Sequence, residues 1–217
     1  MPHQILTSEK IVQAGVNIIE ADKVLTFSTI AHNLGTHSQA LYVYFDSQKQ
    51  LSYAIVGWAV TQVIESLKTK VFGHSGKQAI IIFATELRSI ALKHIQLSRF
   101  VLTVQRDDQN PEVQTAFENL RDLLHRLINS IFYDSDNRIL ASRCIRDLIV
   151  GDILNVGSGW FADPTISPDD SFQESLNLCL TIIIQNENKN KNKSHRFHSK
   201  SFKTILTTST INFLMAA

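Results

Sequence analysis

Thr36, His37, Ser38 and Gln39 form a run of short polar side chains placed directly after Leu34-Gly35. Between them they carry two hydroxyls, an imidazole and an amide, groups suited to the edges of nucleic-acid bases. Gln39 can pair with the N6 and N7 edge of adenine, and His37 can donate to a guanine or to a phosphate. Capping of a helix by one or two of them is the competing account. Thr26 and Ser28 lie at the start of the preceding helical pattern, where hydroxyls and unsatisfied backbone N–H groups favour an anion.

Such a cluster works only if it is held on a rigid frame. Phe27, Ile30, Ala31 and Leu34 recur at helical spacing with Thr26 as the cap. Gly35 supplies a residue that can take positive φ just past a helix end. A second short helix is predicted from His37 to Tyr44, and Ser47 with Gln50 is spaced as a capping box for a third. Helix, glycine turn and short helix are together the sequence form of a helix-turn-helix, which lays a short helix in the DNA major groove. An earlier helix should start at Thr7 or Ser8, with Ile11, Ala14, Gly15, Ile18 and Ile19 on one apolar stripe. Gly15 in its middle costs up to about 1 kcal/mol unless a neighbouring helix needs the close approach.

Beyond the head the pattern stays helical. Long helices are predicted from Ser47 to Val71, Lys77 to Lys93, Pro111 to Tyr133, Arg138 to Val156 and Pro168 to Gln185, with a shorter one from Gln96 to Val104. No alternating strand pattern exceeds a few residues, which predicts an all-α protein. The expected organisation is a three-helix helix-turn-helix head over residues 1–50, a larger helical ligand-binding and dimerisation domain over 51–185, and a basic tail over 186–217. Asn186 to Lys193 is Asn/Lys low complexity, read as unable to bury enough apolar surface to order itself.

Hydrophobic residues make up 44% of the 217 and charged residues 19%, the balance of a soluble globular chain. No signal pattern opens the chain, and no apolar run is long enough for a bilayer. Cys144 and Cys179 sit inside apolar helical patterns and read as buried reduced thiols. A cytoplasmic protein that does not engage the membrane is expected. The net charge of +1 is unevenly spread. The tail holds Lys189, Lys191, Lys193, Arg196, Lys200 and Lys203 against Glu187. The head holds Lys10, Lys23 and Lys49 against Glu9, Glu20, Asp22 and Asp46, so it is acidic and contains no Arg. DNA-binding heads draw much of their affinity from phosphate neutralisation, so modest affinity with a shallow salt dependence is expected. The tail could act as a basic arm on DNA phosphates.

Thr26 to Leu51 resembles the N-terminal domain of TetR-family transcriptional regulators, through Phe27, Ile30-Ala31, Leu34-Gly35, Ala40-Leu41-Tyr42, Tyr44-Phe45 and Leu51. Ile149-Val-Gly151, Gly159-Trp-Phe161 and Asp170-Ser-Phe172 are similar to the C-terminal domain of the branch named for a Trp-His-Gly motif, with Val150 where that branch has His. The resemblance implies a homodimer whose two heads bind a palindromic double-stranded operator, with release by a small apolar or amphipathic inducer. It implies that Tyr42 and Tyr44 contact phosphates, a purely structural ring being the alternative. It also implies a phosphate-holding Lys at a position that is Gln48 here, with Lys49 beside it.

In the body, Trp58, Phe83, Phe100, Phe117, Phe132 and Trp160 are candidates for a ligand pocket, and core membership is the competing account for each. The resemblance places dimerisation on the last two helices, with Leu148, Gly151 and Leu176 as candidate contacts and the core again as the alternative. No phosphate loop, metal-ligand spacing or nucleophile motif is present, and the His residues are scattered, His195 and His198 falling in the tail. The expectation is therefore a regulator, a repressor in the first instance, that is not an enzyme and carries no cofactor or metal. The alternative is a helical interaction protein whose head no longer binds DNA.

Overall fold

The computed structural model describes residues 6–104, 110–161, 163–189 and 191. Among them the secondary structure is all helical: α1 (Ser8–Glu20), α2 (Phe27–Asn33), α3 (Ser38–Leu41), α4 (Gln48–Val71), α5 (Gly76–Lys93), α6 (Ile95–Thr103), α7 (Pro111–Asn129), α8 (Ser135–Gly157) and α9 over 168–189. No helix among the described residues is long and apolar enough to cross a membrane.

The helix starts follow local chemistry. The Thr7 hydroxyl accepts from the Lys10 N–H, and Thr26 and Thr29 cap each other reciprocally. Ser47 accepts from the Gln50 N–H, and the Asn110 side chain from the Val113 N–H, with Pro111 in the first turn of α7. Each satisfies an N–H that the helix cannot pair internally.

The head core is Ile11, Ile30, Leu41, Leu51 and Ile55 with their neighbours, drawn from α1 to α3 and the start of α4. Gly15 lies where α1 crosses α4: a Cβ there would stand 2.6 Å from Ile55 Cδ1. Close approach is thus the reason for a glycine in mid-helix. Leu97 of α6 belongs to the same core. A second core, around Phe83, Phe132, Ile145 and Leu176, unites the far half of α4 with α5, α7, α8 and α9.

Four helix ends differ clearly from the sequence expectation. α3 is a single turn and ends at Leu41 rather than Tyr44, because the chain bends to bring Phe45 into the head core; the N–H groups of Tyr44 and Phe45 both return to the Leu41 carbonyl. α7 ends at Asn129, and α8 starts at Ser135, where the Asp134 carboxylate accepts from the Asp136 and Asn137 N–H groups. Last, α9 runs past Gln185 to residue 189. Glu187, expected in a solvated tail, is buried and accepts from the N–H groups of Tyr133 and Asp134 and from Asn137 Nδ2. Lys191 lies over the Tyr133 ring. Lys193, Arg196, Lys200 and Lys203 of the expected basic arm, with His195 and His198, lie outside the described residues.

Candidate nucleic-acid interface

Gly35, at φ +64°, ends the first helix of the motif in the left-handed region, and the Thr36 N–H returns to the Ala31 carbonyl. This turn sets α3 across α2. His37 occupies the N-cap position of α3 but makes no side-chain cap hydrogen bond. His37 and Gln39 are exposed, while Thr36 and Ser38 are half-buried. The Ser38 hydroxyl reaches Ser28 Oγ at 3.4 Å, tying the two helices. The four expected base-facing residues therefore stand together at one end of α3, with His37 and Gln39 the most open to solvent.

The expected phosphate contacts divide. Tyr42 is 56% exposed, with its ring packed edge-on against Phe27 at 4.7 Å. Ser28, next to Phe27 in the sequence, is exposed and linked to Ser38. Lys49 is exposed, its ammonium 5.6 Å from the Tyr53 ring centroid. The remaining donors turn inward. The Tyr44 hydroxyl donates to the Leu6 carbonyl at 2.7 Å. Gln48 Nε2 donates to the Leu25 carbonyl at 2.5 Å. The Thr26 hydroxyl serves the capping box. Sequence reasoning passed over Val43, which is 82% exposed between the two tyrosines. Its only signal was its place in the aromatic exit, and a methyl-bearing side chain there could meet a thymine methyl.

In the body, the pocket candidates do not converge. Phe83 and Phe132 are fully buried in the body core. Trp58 packs on the head core, Phe100 joins both the head core and a small cluster around Val56 and Val113, and Phe117 joins that cluster alone. Trp160 lines a groove of about 540 Å³ between α8 and the start of α9. Leu148 and Gly151 also line it. Leu176 is fully buried within the chain, so of its two accounts the structure favours the core.

Beneath this groove lies a charge cluster that no local spacing announced. Arg88 of α5, 5% exposed, donates through Nε to Asp152 of α8 and through Nη1 to Asp169 of α9 at 2.7 Å, with its guanidinium 4.9 Å from the Phe172 ring. Burial alone would lower the Arg88 pKa, but the two carboxylates outweigh it and raise it. Its Nη2 is buried with no partner. Head and body meet through α6. Glu20 at the end of α1 lies 3.2 Å from His94 Nδ1. On the other side Arg99 Nη2 donates to the Gly157 carbonyl, and Ile95 packs where a Gly157 Cβ would be. No group of three or more His, Cys, Asp or Glu suited to a metal occurs among the described residues.

No family model matches the sequence, and no curated protein does. Solved structures do. A TetR family transcription regulator from Marinobacter aquaeolei VT8 superposes with a TM-score of 0.62 at 19% identity, over 79% of this chain and 92% of that one. SCO7222, a TetR from Streptomyces coelicolor, gives 0.65 at 19% identity, over 84% and 100%. The transcriptional regulator FadR from Bacillus subtilis, in complex with stearoyl-CoA, gives 0.64 at 14% identity, over 80% and 97%. The chain thus has the all-α fold of the TetR-type regulators, and these neighbours are transcription regulators rather than enzymes.

Proposed function

We propose that this chain is a TetR-family transcriptional regulator that binds a palindromic operator as a homodimer, represses, and is released by a small amphipathic ligand. The observation that carries the reading is the exposed His37 and Gln39 at the start of α3, set by the Gly35 turn on a head that shares its fold with DNA-binding regulators. Tyr42, Ser28 and Lys49 supply the backbone contacts, and base edges are read by the α3 cluster. Dimerisation uses the outer faces of α8 and α9, where Val150 and Leu154 on one helix and Leu178 and Ile182 on the other are exposed at helical spacing, large apolar side chains of the kind an interface covers. The contact path from Gly157 through Ile95 and Arg99 to α1 offers a route by which an event in the body shifts the head.

The test is selection of bound DNA from a random pool, followed by affinity measured against salt. A symmetric site should emerge. The two heads of a dimer offer Lys10, Lys23 and Lys49 twice over, so the slope of log K against log salt should be no steeper than about −5. A slope near −10 would place the main phosphate contacts outside the head. A second reading, an interaction protein with a silent head, is favoured by the inward-turned donors of Tyr44 and Gln48. A folded dimer that selects no DNA would establish it.

A further inference from the structure

The end of the body remote from the head is built where α9 finishes. Along α5 and α9 the contacts run in opposite directions: Arg88 meets Asp169, Thr85 meets Gln173 and Lys77 meets Thr181. The last turns of α9 therefore lie beyond the start of α5, and Glu187 there holds the turn between α7 and α8. The α4–α5 turn closes the same end. Gly73 takes φ +81° and the His74 N–H returns to the Val71 carbonyl. Val71 is buried, whereas Phe72 beside it is 87% exposed, the most open large apolar side chain among the described residues. Lys70, His74, Lys189 and Lys191 are exposed at this end. Its carboxylates are largely engaged: Glu187 is buried, Asp134 caps α8 and Glu65 pairs with Lys68, which leaves Asp136 exposed. The chain leaves α9 from here. Past Lys191 it carries Lys193, Arg196, Lys200 and Lys203, with Phe197 and Phe202 between them and no Asp or Glu. Residues 204–217 are uncharged and include Phe213, Leu214 and Met215.

A role for these cations on the operator fails on distance. α9, over 168–189, is about 33 Å long, and the head lies past its starting end, across α6. From Lys191 to Lys200 the chain can span at most about 32 Å. Lys193, Arg196 and Lys200 thus fall short of the face that α3 presents, and their charge belongs to the remote end. We propose that this end docks on the surface of an anionic phospholipid bilayer, with Phe72 entering the boundary between headgroups and acyl chains and the cations from Lys189 to Lys203 facing the lipid anions. A basic segment joined to apolar side chains is the pairing that holds a protein reversibly on such a surface, where either signal alone holds weakly. Each Lys or Arg near the surface is worth about fivefold in affinity. A duplex phosphate backbone would satisfy the cations but leave Phe72 and the uncharged stretch without a role. The expectation of no membrane engagement rested on the lack of a spanning segment, and surface docking needs none. The assignment goes beyond the regulator reading and does not depend on it.

The full chain is mixed with vesicles of phosphatidylcholine alone and of phosphatidylcholine with about 30% phosphatidylserine, and binding is read by flotation. The anionic vesicles should bind at least roughly tenfold more tightly than the neutral ones, and that affinity should fall as salt rises. Phe72→Ser, at a site already open to solvent, should lose roughly fivefold on the anionic vesicles. The triple variant K193Q/R196Q/K200Q should lose roughly a hundredfold. Equal affinity for the two kinds of vesicle, or binding to neither, would overturn the proposal. So would an unchanged vesicle affinity in Phe72→Ser. If the triple variant kept its vesicle affinity and lost only duplex DNA, the basic run would be a DNA arm and the proposal would fall.

Discussion

The head and the body of this chain are held together by different kinds of interaction. Every buried residue of the head core is apolar or glycine, and its helix starts are capped within a few positions along the chain, as in Thr7 with Lys10, Thr26 with Thr29 and Ser47 with Gln50; its longer ties, from Tyr44 to the Leu6 carbonyl and from Gln48 to the Leu25 carbonyl, are made by side chains outside that core. Among the described residues, the buried polar and charged side chains, Arg88, Asn137, Ser142, Asp152 and Glu187, all belong to the body. They join helices far apart in sequence: α5 to α8 and α9 through Arg88, and the α7–α8 turn to α9 through Glu187. The head is stabilised by burial and local capping, which tolerate small shifts. The body's ties demand one register of α5, α8 and α9, since any slip leaves a charge buried and unpaired.

The sharpest way to break this contrast is Arg88→Met. It leaves Asp152 buried without its partner, and the body should lose about 3–5 kcal/mol, read by denaturant unfolding. Arg88→Met with Asp152→Leu should recover most of the loss, because the pair as a whole is replaced by apolar packing. A single variant that loses less than about 1 kcal/mol would show that the tie contributes little to the body's register.

The head offers the matching steric test. Gly15→Ala puts a methyl 2.6 Å from Ile55 Cδ1, and overpacking of this kind should cost about 1–3 kcal/mol despite the better helix propensity of alanine. Ile55→Val removes the offending methyl. It costs about 0.5–1.5 kcal/mol alone, but in the double variant the two losses should be less than additive. Strict additivity in the double-mutant cycle would mean that α1 moves away from α4 instead.

Glu187 gives the body a pH dependence of its own. Burial would raise its pKa, but hydrogen bonds from Asn137 and from the Tyr133 and Asp134 N–H groups, with the charge of Lys191, outweigh burial and lower it. A carboxylate depressed on folding stabilises the fold at pH values above its unfolded value of about 4.3, and the contribution fades as pH falls through the lower folded value. Glu187→Gln should therefore be less stable than the parent at pH 7 by about 1–2 kcal/mol, and the gap should close toward pH 3. A gap that stays constant with pH would mean that shape and not charge holds the α7–α8 turn.

The same division decides what could be read from the sequence. Gly35, the caps and the apolar stripes were legible because each is a rule about residues within one or two turns of each other. Gly15 was legible as a question whose answer, Ile55, lies on another helix. The Arg88 cluster was not legible, since nothing in the spacing of an Arg and two Asp across 81 residues distinguishes it from ordinary surface charge. The α9 boundary failed for a related reason. The Asn/Lys composition after Gln185 looks unable to order itself, but Glu187 draws its stability from a turn more than fifty residues earlier. The pocket aromatics show the limit of composition: Trp58, Phe83, Phe100 and Phe117 are apolar and helical, which suits a core as well as a cavity, and the folded chain packs them into three different clusters.

The smallest expected effect bears on how the head would meet DNA. Tyr42 and Tyr44 are equivalent in the sequence resemblance but not in the fold. The Tyr44 hydroxyl is occupied by the Leu6 carbonyl, whereas Tyr42 stands exposed with only its ring engaged, on Phe27. Tyr44→Phe should cost the head about 0.5–1 kcal/mol of stability and loosen residue 6 from the segment that follows α3. Tyr42→Phe should leave stability within about 0.5 kcal/mol and weaken operator binding uniformly across sequences, the signature of a lost phosphate contact. The two variants thus separate a tyrosine that serves the fold from one that serves a partner. If Tyr44→Phe alone weakened DNA binding at unchanged stability, the Leu6 contact would be one the hydroxyl gives up on the operator, and the head would be less finished in its free state than its apolar core suggests.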